Sequence, residues 1–406
     1  MSKHFYKIVH KNTTFVLLLL LFCIHAIGQN KYAGNTSKRS FAPSSDMAYA
    51  SNTKSFGYKR MNELRNALER QSLSSFVNDF GVMPVSNALA TTVETLPAGT
   101  LIIAMDNALQ ENDVARLRRA YGLAVRLLHA GVPLKWIIDP NKTSRTAVDL
   151  SASARLRYPT TGSYATRNFR TGPIAIFPGF ETQAAAVINS YGNGIRVYEL
   201  QSATSANIHS NLTHKPYVFV EQSENPTIHT SILSAAGLSS GTHYTTGLMT
   251  SVTQSQCVTI ITVPHNSAIS TAERNAVRAF VQNGGNFFAQ CAAIRGFQGS
   301  APSAFLNSGY RDNPGIGSFL YSNPQEPSAQ FEGTIVDEGG SQENFGFTTD
   351  PPGGTRIVHD SQNNYKAYTG RMDGVTTSDG GYVHYLAGHD HDGNINADRY
   401  YLNAVL

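Results

Sequence analysis

From Leu96 to Cys291, short apolar runs alternate with stretches of helical periodicity, which restricts the chain to layered α/β architectures. Pro97-Ala98-Gly99 introduces a strand over Thr100 to Met105. The helix expected next, Glu111 to Ala130, turns Val114, Leu117, Tyr121, Val125 and Leu128 to one side and closes at Gly131. Strands over Leu134 to Ile138, Pro173 to Phe177 and Ile195 to Leu200 follow, interrupted by a polar excursion to Arg170 and a helix over Thr182 to Ser190. The pattern then restarts: strand Tyr217 to Glu221, helix Thr230 to Ala236 ended by Gly237, strand Val258 to Val263, helix Ser270 to Gln282, strand Asn286 to Gln290. Strands separated by helices predict a doubly wound, mostly parallel sheet, with an N-terminal α/β half over residues 96–205 and a second α/β domain over 206–406. Gly299 to Gly354, rich in Gly, Pro, Ser and Asn, reads as loops, and Arg356 to Val358 and Tyr382 to Ala387 as late strands.

The first 28 residues have the layout of a signal peptide. Lys3, Lys7 and Lys11 precede the apolar core Phe15 to Ile24, and Ala26-Ile27-Gly28 offers small residues for cleavage. A secreted or periplasmic protein is therefore expected. The apolar core is short of the ~20 residues of a membrane span, and no later segment matches it, so no stable span is expected after cleavage. Residues 29–95 read as a flexible leader with one amphipathic helix within Tyr58 to Phe80, carrying Met61, Leu64, Leu68 and Leu73. The net charge is +4, only 15% of residues are charged, and no Lys/Arg stripe alternates with aromatics, which argues against a nucleic-acid partner. Cleavage would leave Cys257 and Cys291 as the only cysteines, too few for a disulfide scaffold, with Cys257 read as a small core residue opening a β-run.

Chemistry concentrates around Cys291. The helix Ser270 to Gln282, with Ser270 or Thr271 as N-cap and Glu273 in its first turn, runs into Gly284-Gly285. A strand then delivers the thiol to the start of a new element. A thiol at the carboxyl end of a strand lies where open α/β sheets bind ligands. It needs a base, an orienting acid and an oxyanion pocket to act as a nucleophile. His389, after the last strand, is the candidate base, and His265, after the strand ending in Val263-Pro264, is its rival. Glu221, Asp390 or Asp392 can orient either ring, and backbone N–H groups of His265 and Asn266, or of Ala292, can form the oxyanion pocket. Each residue also has a plain reading: packing for Cys291, solvated turn or strand-end positions for His265, His389 and Glu221.

Asp390 to Asp398 spaces oxygen donors like a calcium loop, but an EF-hand needs glycine sixth and glutamate twelfth, whereas Gly393 stands fourth and Tyr401 twelfth. A polar loop is expected. His389 and His391 lack a nearby third soft ligand at helical spacing, so no metal and no cofactor are assigned.

The segments TIITVPHN, AVRAFVQNGGNFFAQCAA and GHDHDGNINADRYYLNAVL, within roughly residues 215–406, resemble the class I glutamine amidotransferase-like superfamily, in particular its ThuA-like and biotin-ligase N-terminal-like members. The resemblance implies a glutamine amidotransferase-like fold in which Pro264, His265 and Asn266 match the oxyanion loop, Cys291 the elbow nucleophile and His389 the late histidine. Gln290 and Ala292 stand where that family flanks its cysteine with glycines, and His389-Asp390-His391 replaces its late His-x-Glu. The favoured expectation is an exported cysteine-dependent hydrolase of amide or ester bonds. The alternative is a non-catalytic module that binds a small molecule, sugar or peptide in the same pocket.

Overall fold

Two β-sheets and six helices make up the described part of the chain. The computed structural model describes residues 91–406 apart from 193, 253–256, 267, 300–304, 307–308, 313–317, 336–343, 352, 373–379, 390 and 392. The expected signal peptide, the amphipathic helix at 58–80 and the leader up to residue 90 lie outside the described residues.

The first sheet comprises β1 (Thr92–Leu96), β2 (Leu101–Ile103), β3 (Leu134–Ile137), β4 (Val148–Tyr158), β5 (Ala165–Arg170), β6 (Ile174–Ile176), β7 (Val197–Leu200) and β8 (Thr204–Leu212), with helices α1 (Val114–His129) and α2 (Glu181–Tyr191). Its order is β1-β8-β3-β6-β2-β7-β4-β5, and every neighbouring pair is antiparallel. The strand–helix–strand units β2-α1-β3 and β6-α2-β7 are both present, but they interleave. β6 lies between β2 and β3, and β2 lies between β6 and β7, which is the split βαβ arrangement. Each crossover skips one strand, so a sequence pattern that suggests parallel neighbours produces antiparallel ones.

The second sheet follows with β9 (Val218–Glu221), α3 (Thr227–Ala235), β10 (Tyr244–Gly247), β11 (Ile260–Val263), α4 (Thr271–Gln282), β12 (Asn286–Gln290), α5 (Ala292–Gln298), β13 (Tyr310–Asp312), β14 (Leu320–Tyr321), β15 (Phe345–Phe347), β16 (Gly354–His359), β17 (Asn364–Arg371), β18 (Tyr382–Leu386) and α6 (Ile395–Val405). Its path β10-β9-β11-β12-β18 is parallel, whereas β17, β15 and β13 continue it antiparallel, and β16 and β14 branch from β17. The expected doubly wound, mostly parallel sheet is therefore corrected to one antiparallel and one mixed sheet. Of the late elements, β17 and α6 carried no strong local signal.

α1 packs against residues of both sheets because it is apolar on more than one side. Leu123, Val125, Leu127 and Leu128 are buried in one cluster with Ile103, Trp136 and Ile176 of the first sheet and Val220, Phe288, Leu386 and Tyr400 of the second part. Gly122 lets α1 approach α3 closely: a Cβ there would stand 1.7 Å from the carbonyl oxygen of Ala236. On β12 the two-residue alternation sends Phe287 and Ala289 into a second cluster with Val263, Val277, Phe297, Phe345 and Tyr385, and Phe288 to the α1 side.

Three further readings change. The polar excursion before Arg170 is the β4–β5 hairpin, whose VDLSASARLRY alternates sides along a strand. The run read as a polar loop turns helical from Ile395: Asn394 caps α6, its Oδ1 accepting from the N–H groups of Asn396 and Ala397, and Asp398 pairs with Arg118. Asp390 and Asp392 of that run lie outside the described residues. Cys257 is exposed with φ +51 rather than a core residue, and both Cys257 and Cys291 are unbridged. Among the described residues, no helix is long and apolar enough to cross a membrane.

Candidate functional site

Cys291 sits in a backbone conformation that few side chains adopt. Of the two expected N-cap candidates of α4, Ser270 is the cap, and it forms a capping box, Ser270 accepting from the Glu273 N–H while Glu273 accepts from the Ser270 N–H; the helix is followed by a left-handed turn at Gly284 (φ +96). β12 follows, and Cys291 takes φ 53, ψ −129 between the strand and α5. A non-glycine residue in such a region stores about 1–3 kcal/mol, and a sharp strand-to-helix turn of this kind has the backbone shape in which nucleophile elbows are built. The Cys291 N–H donates to the Leu386 carbonyl at 3.0 Å, tying the elbow to β18.

Topology assembles the rest. β11, β12 and β18 are adjacent and parallel with β12 in the middle, so the turns after all three open at one sheet edge. His265 follows β11, Cys291 ends β12 and His389 follows β18. The Cys291 Sγ lies 3.6 Å from His389 Nδ1, and His389 Nδ1 lies 2.9 Å from His265 Nδ1. The two rings meet edge to face with centroids 4.3 Å apart. The thiol is buried, at 1% exposure, and both histidines are half-buried. The three donor atoms lie within 4.8 Å of one another.

The other expected residues are less directly engaged. Glu221 ends β9, one strand beyond β11, and is fully buried; its Oε1 accepts from the Ser223 N–H at 2.7 Å, and its Oε2 has no partner among the described residues. It therefore bonds neither histidine. Asn266 is buried, and its Oδ1 accepts from the Ala268 N–H at 3.0 Å, which ties the side chain to its own turn. Ala292 is the first residue of α5, buried beside the thiol in sequence. Asp390 lies outside the described residues.

Two residues that sequence reasoning missed hold the site from behind. Gln290, 1% exposed, donates from Nε2 to the His389 carbonyl at 2.8 Å, and its Oε1 lies 3.0 Å from His229 Nε2. That orientation makes His229 the donor, through Nε2–H. His229 is fully buried on α3, stacks on Tyr401 with centroids 4.5 Å apart, and is pushed down to about 3 by burial, so its ring is neutral. Its Nδ1 is buried without a partner among the described residues. The available signal was a polar side chain ending the apolar run Phe-Phe-Ala, which requires a buried partner. A small cavity of about 120 Å³ lies beside this relay, lined by Gln290, Leu386 and His391 and by Arg118, Ser231 and Asp398; Cys291 does not line it.

No family model matches the sequence, and no curated protein matches it. Among solved structures, a ThuA-like protein from Bacteroides uniformis is similar at 14% identity and a TM-score of 0.30, over 46% of this chain and 88% of that one. A cytoplasmic protein from Salmonella typhimurium is similar at 9% identity and a TM-score of 0.31, over 47% and 97% of the two chains. A beta-galactosidase from Rahnella sp. R3 is similar at 13% identity and a TM-score of 0.27, over 46% and 30%. Likeness this low carries no statement about activity.

Proposed function

We propose that this chain is an exported, cysteine-dependent hydrolase of amide or ester bonds in a small molecule, sugar derivative or peptide. The observation that carries the reading is Cys291 on a strained elbow with its sulfur 3.6 Å from His389 Nδ1. Two imidazole nitrogens facing at 2.9 Å repel if both are bare or both are protonated, so the pair is most stable holding a single proton between them. Drawing that proton from the thiol leaves a thiolate against a shared imidazolium. The thiolate attacks the carbonyl carbon, and the oxyanion takes hydrogen bonds from backbone N–H groups at Ala292 or at His265 and Asn266. Collapse breaks the bond to the leaving amine or alcohol, which receives the proton from His389. Water then cleaves the thioester and restores the thiol.

A second reading rests on the 1% exposure of Cys291 and on the cavity beside it, which does not include the sulfur. In that case the sheet edge binds a ligand without turnover. Iodoacetamide labelling of the native protein at neutral pH separates the two. The label must be read in a Cys257→Ser background, because Cys257 is exposed. Rapid alkylation of Cys291 that slows at least about 10-fold in His389→Ala supports the hydrolase; a thiol that stays silent until unfolding removes it.

A further inference from the structure

The same sheet edge has the composition and spacing of a transition-metal site. We infer that Cys291, His265 and His389 bind one divalent ion of the zinc class, through Sγ and the two Nδ1 atoms, with one coordination position left open. A thiolate and two imidazoles form a donor set that favours zinc and its neighbours over calcium or magnesium, which require oxygen.

The distances are close to those required. Tetrahedral zinc with Zn–N near 2.05 Å and Zn–S near 2.3 Å places neighbouring ligand atoms about 3.3 Å apart for N and N and about 3.6 Å apart for N and S. The observed Cys291–His389 separation is 3.6 Å. The His265–His389 separation of 2.9 Å must open by about 0.4 Å, which small rotations of two half-buried rings supply. Sγ and His265 Nδ1 are within 4.8 Å and must close toward the same N–S spacing. The scaffold is suited to this adjustment. The sulfur is fixed by the elbow and by the Cys291 N–H bond to Leu386, and the His389 backbone is held by Gln290, so the adjustment falls on the side-chain torsions of the two histidines.

Ion binding releases one proton from the trio, the one shared among thiol and imidazoles; each ring then keeps its proton on Nε2 and presents Nδ1 to the metal. The ion caps the sulfur, so a metal-loaded protein cannot use Cys291 as a nucleophile. The site does not depend on the hydrolase reading, since the three side chains coordinate whether or not the thiol turns over a substrate.

Cobalt titration of the Cys257→Ser protein tests the inference. The expected result is one Co²⁺ per chain, with a thiolate-to-cobalt charge-transfer band and the intense visible bands of a tetrahedral ion, displaced by Zn²⁺. Cys291→Ser abolishes the charge-transfer band, and His265→Ala and His389→Ala each weaken Zn²⁺ binding at least about 10-fold. Absence of the charge-transfer band in the parent protein overturns the site, as does Zn²⁺ binding unchanged across the three variants. The parent spectrum needs no substitution in the trio, so a variant that fails to fold does not blunt the test. Alkylation without metal reports on the hydrolase alone: a thiol silent to iodoacetamide that still binds cobalt removes the enzyme reading and keeps the metal site.

Discussion

Replacing Gln290 by leucine tests whether the relay behind the elbow holds the site together. The side chain is 1% exposed, and leucine is close to it in volume, so the change mainly deletes two hydrogen bonds, at 2.8 Å to the His389 carbonyl and 3.0 Å to His229. An unpaired buried polar group costs about 1–3 kcal/mol. The His389 carbonyl belongs to a half-buried residue and falls at the low end. His229 is fully buried and already has an orphaned Nδ1, so losing its remaining bond leaves both ring nitrogens without a hydrogen-bond partner among the described residues and falls higher. The sum is about 2–4 kcal/mol of lost stability. Urea unfolding reads it as a lower midpoint at unchanged slope. The companion variant His229→Phe keeps the stacking on Tyr401, and the double variant removes both ends of one bond. It should therefore recover at least about 1 kcal/mol relative to additivity. A loss below about 0.5 kcal/mol for Gln290→Leu, or strict additivity in the cycle, refutes the relay.

Acid should destabilise the protein as its buried histidines are driven to take up protons. His229 and His384 are both pushed down to about 3 by burial, so each is neutral in the fold, while the unfolded chain protonates near 6.5. Their contribution is complete above pH 6.5 and is lost as pH falls toward 3, at up to about 1.4 kcal/mol per pH unit for each ring. Urea midpoints that stay level between pH 7 and 5 contradict this; His384→Leu should lessen the slope. Gly122→Ala should lower the melting temperature despite alanine's better helix propensity. Its Cβ would fall 1.7 Å from the Ala236 carbonyl oxygen that also accepts from Tyr191, and overpacking of about 1–3 kcal/mol exceeds the helix gain of about 1. An unchanged or higher melting temperature would mean that α1 and α3 can separate freely.

Much of the site was legible in the sequence because its signals are local. The Ser270–Glu273 capping box, the Gly284 turn and the run Asn286 to Gln290 act over a few residues each, and together they place Cys291 at a strand end. The histidines could be named as candidates because each follows an apolar strand. Their convergence could not be derived, since it depends on β11 and β18 flanking β12. Gln290 and His229 were missed for a related reason: a buried polar pair is recognisable only when both members are seen together.

Local chemistry by itself determined strands β2, β3, β6, β7, β9, β11, β12, β16 and β18, helices α1 to α4 and the residue at the elbow, because periodicity, caps and glycine turns operate within one or two turns of backbone. Tertiary structure alone decided which strands become neighbours. β2 and β3 are joined through α1 as a parallel pair would be, yet β6 lies between them and makes the sheet antiparallel. That choice follows from which apolar faces are buried together around α1, a property of the whole packed molecule.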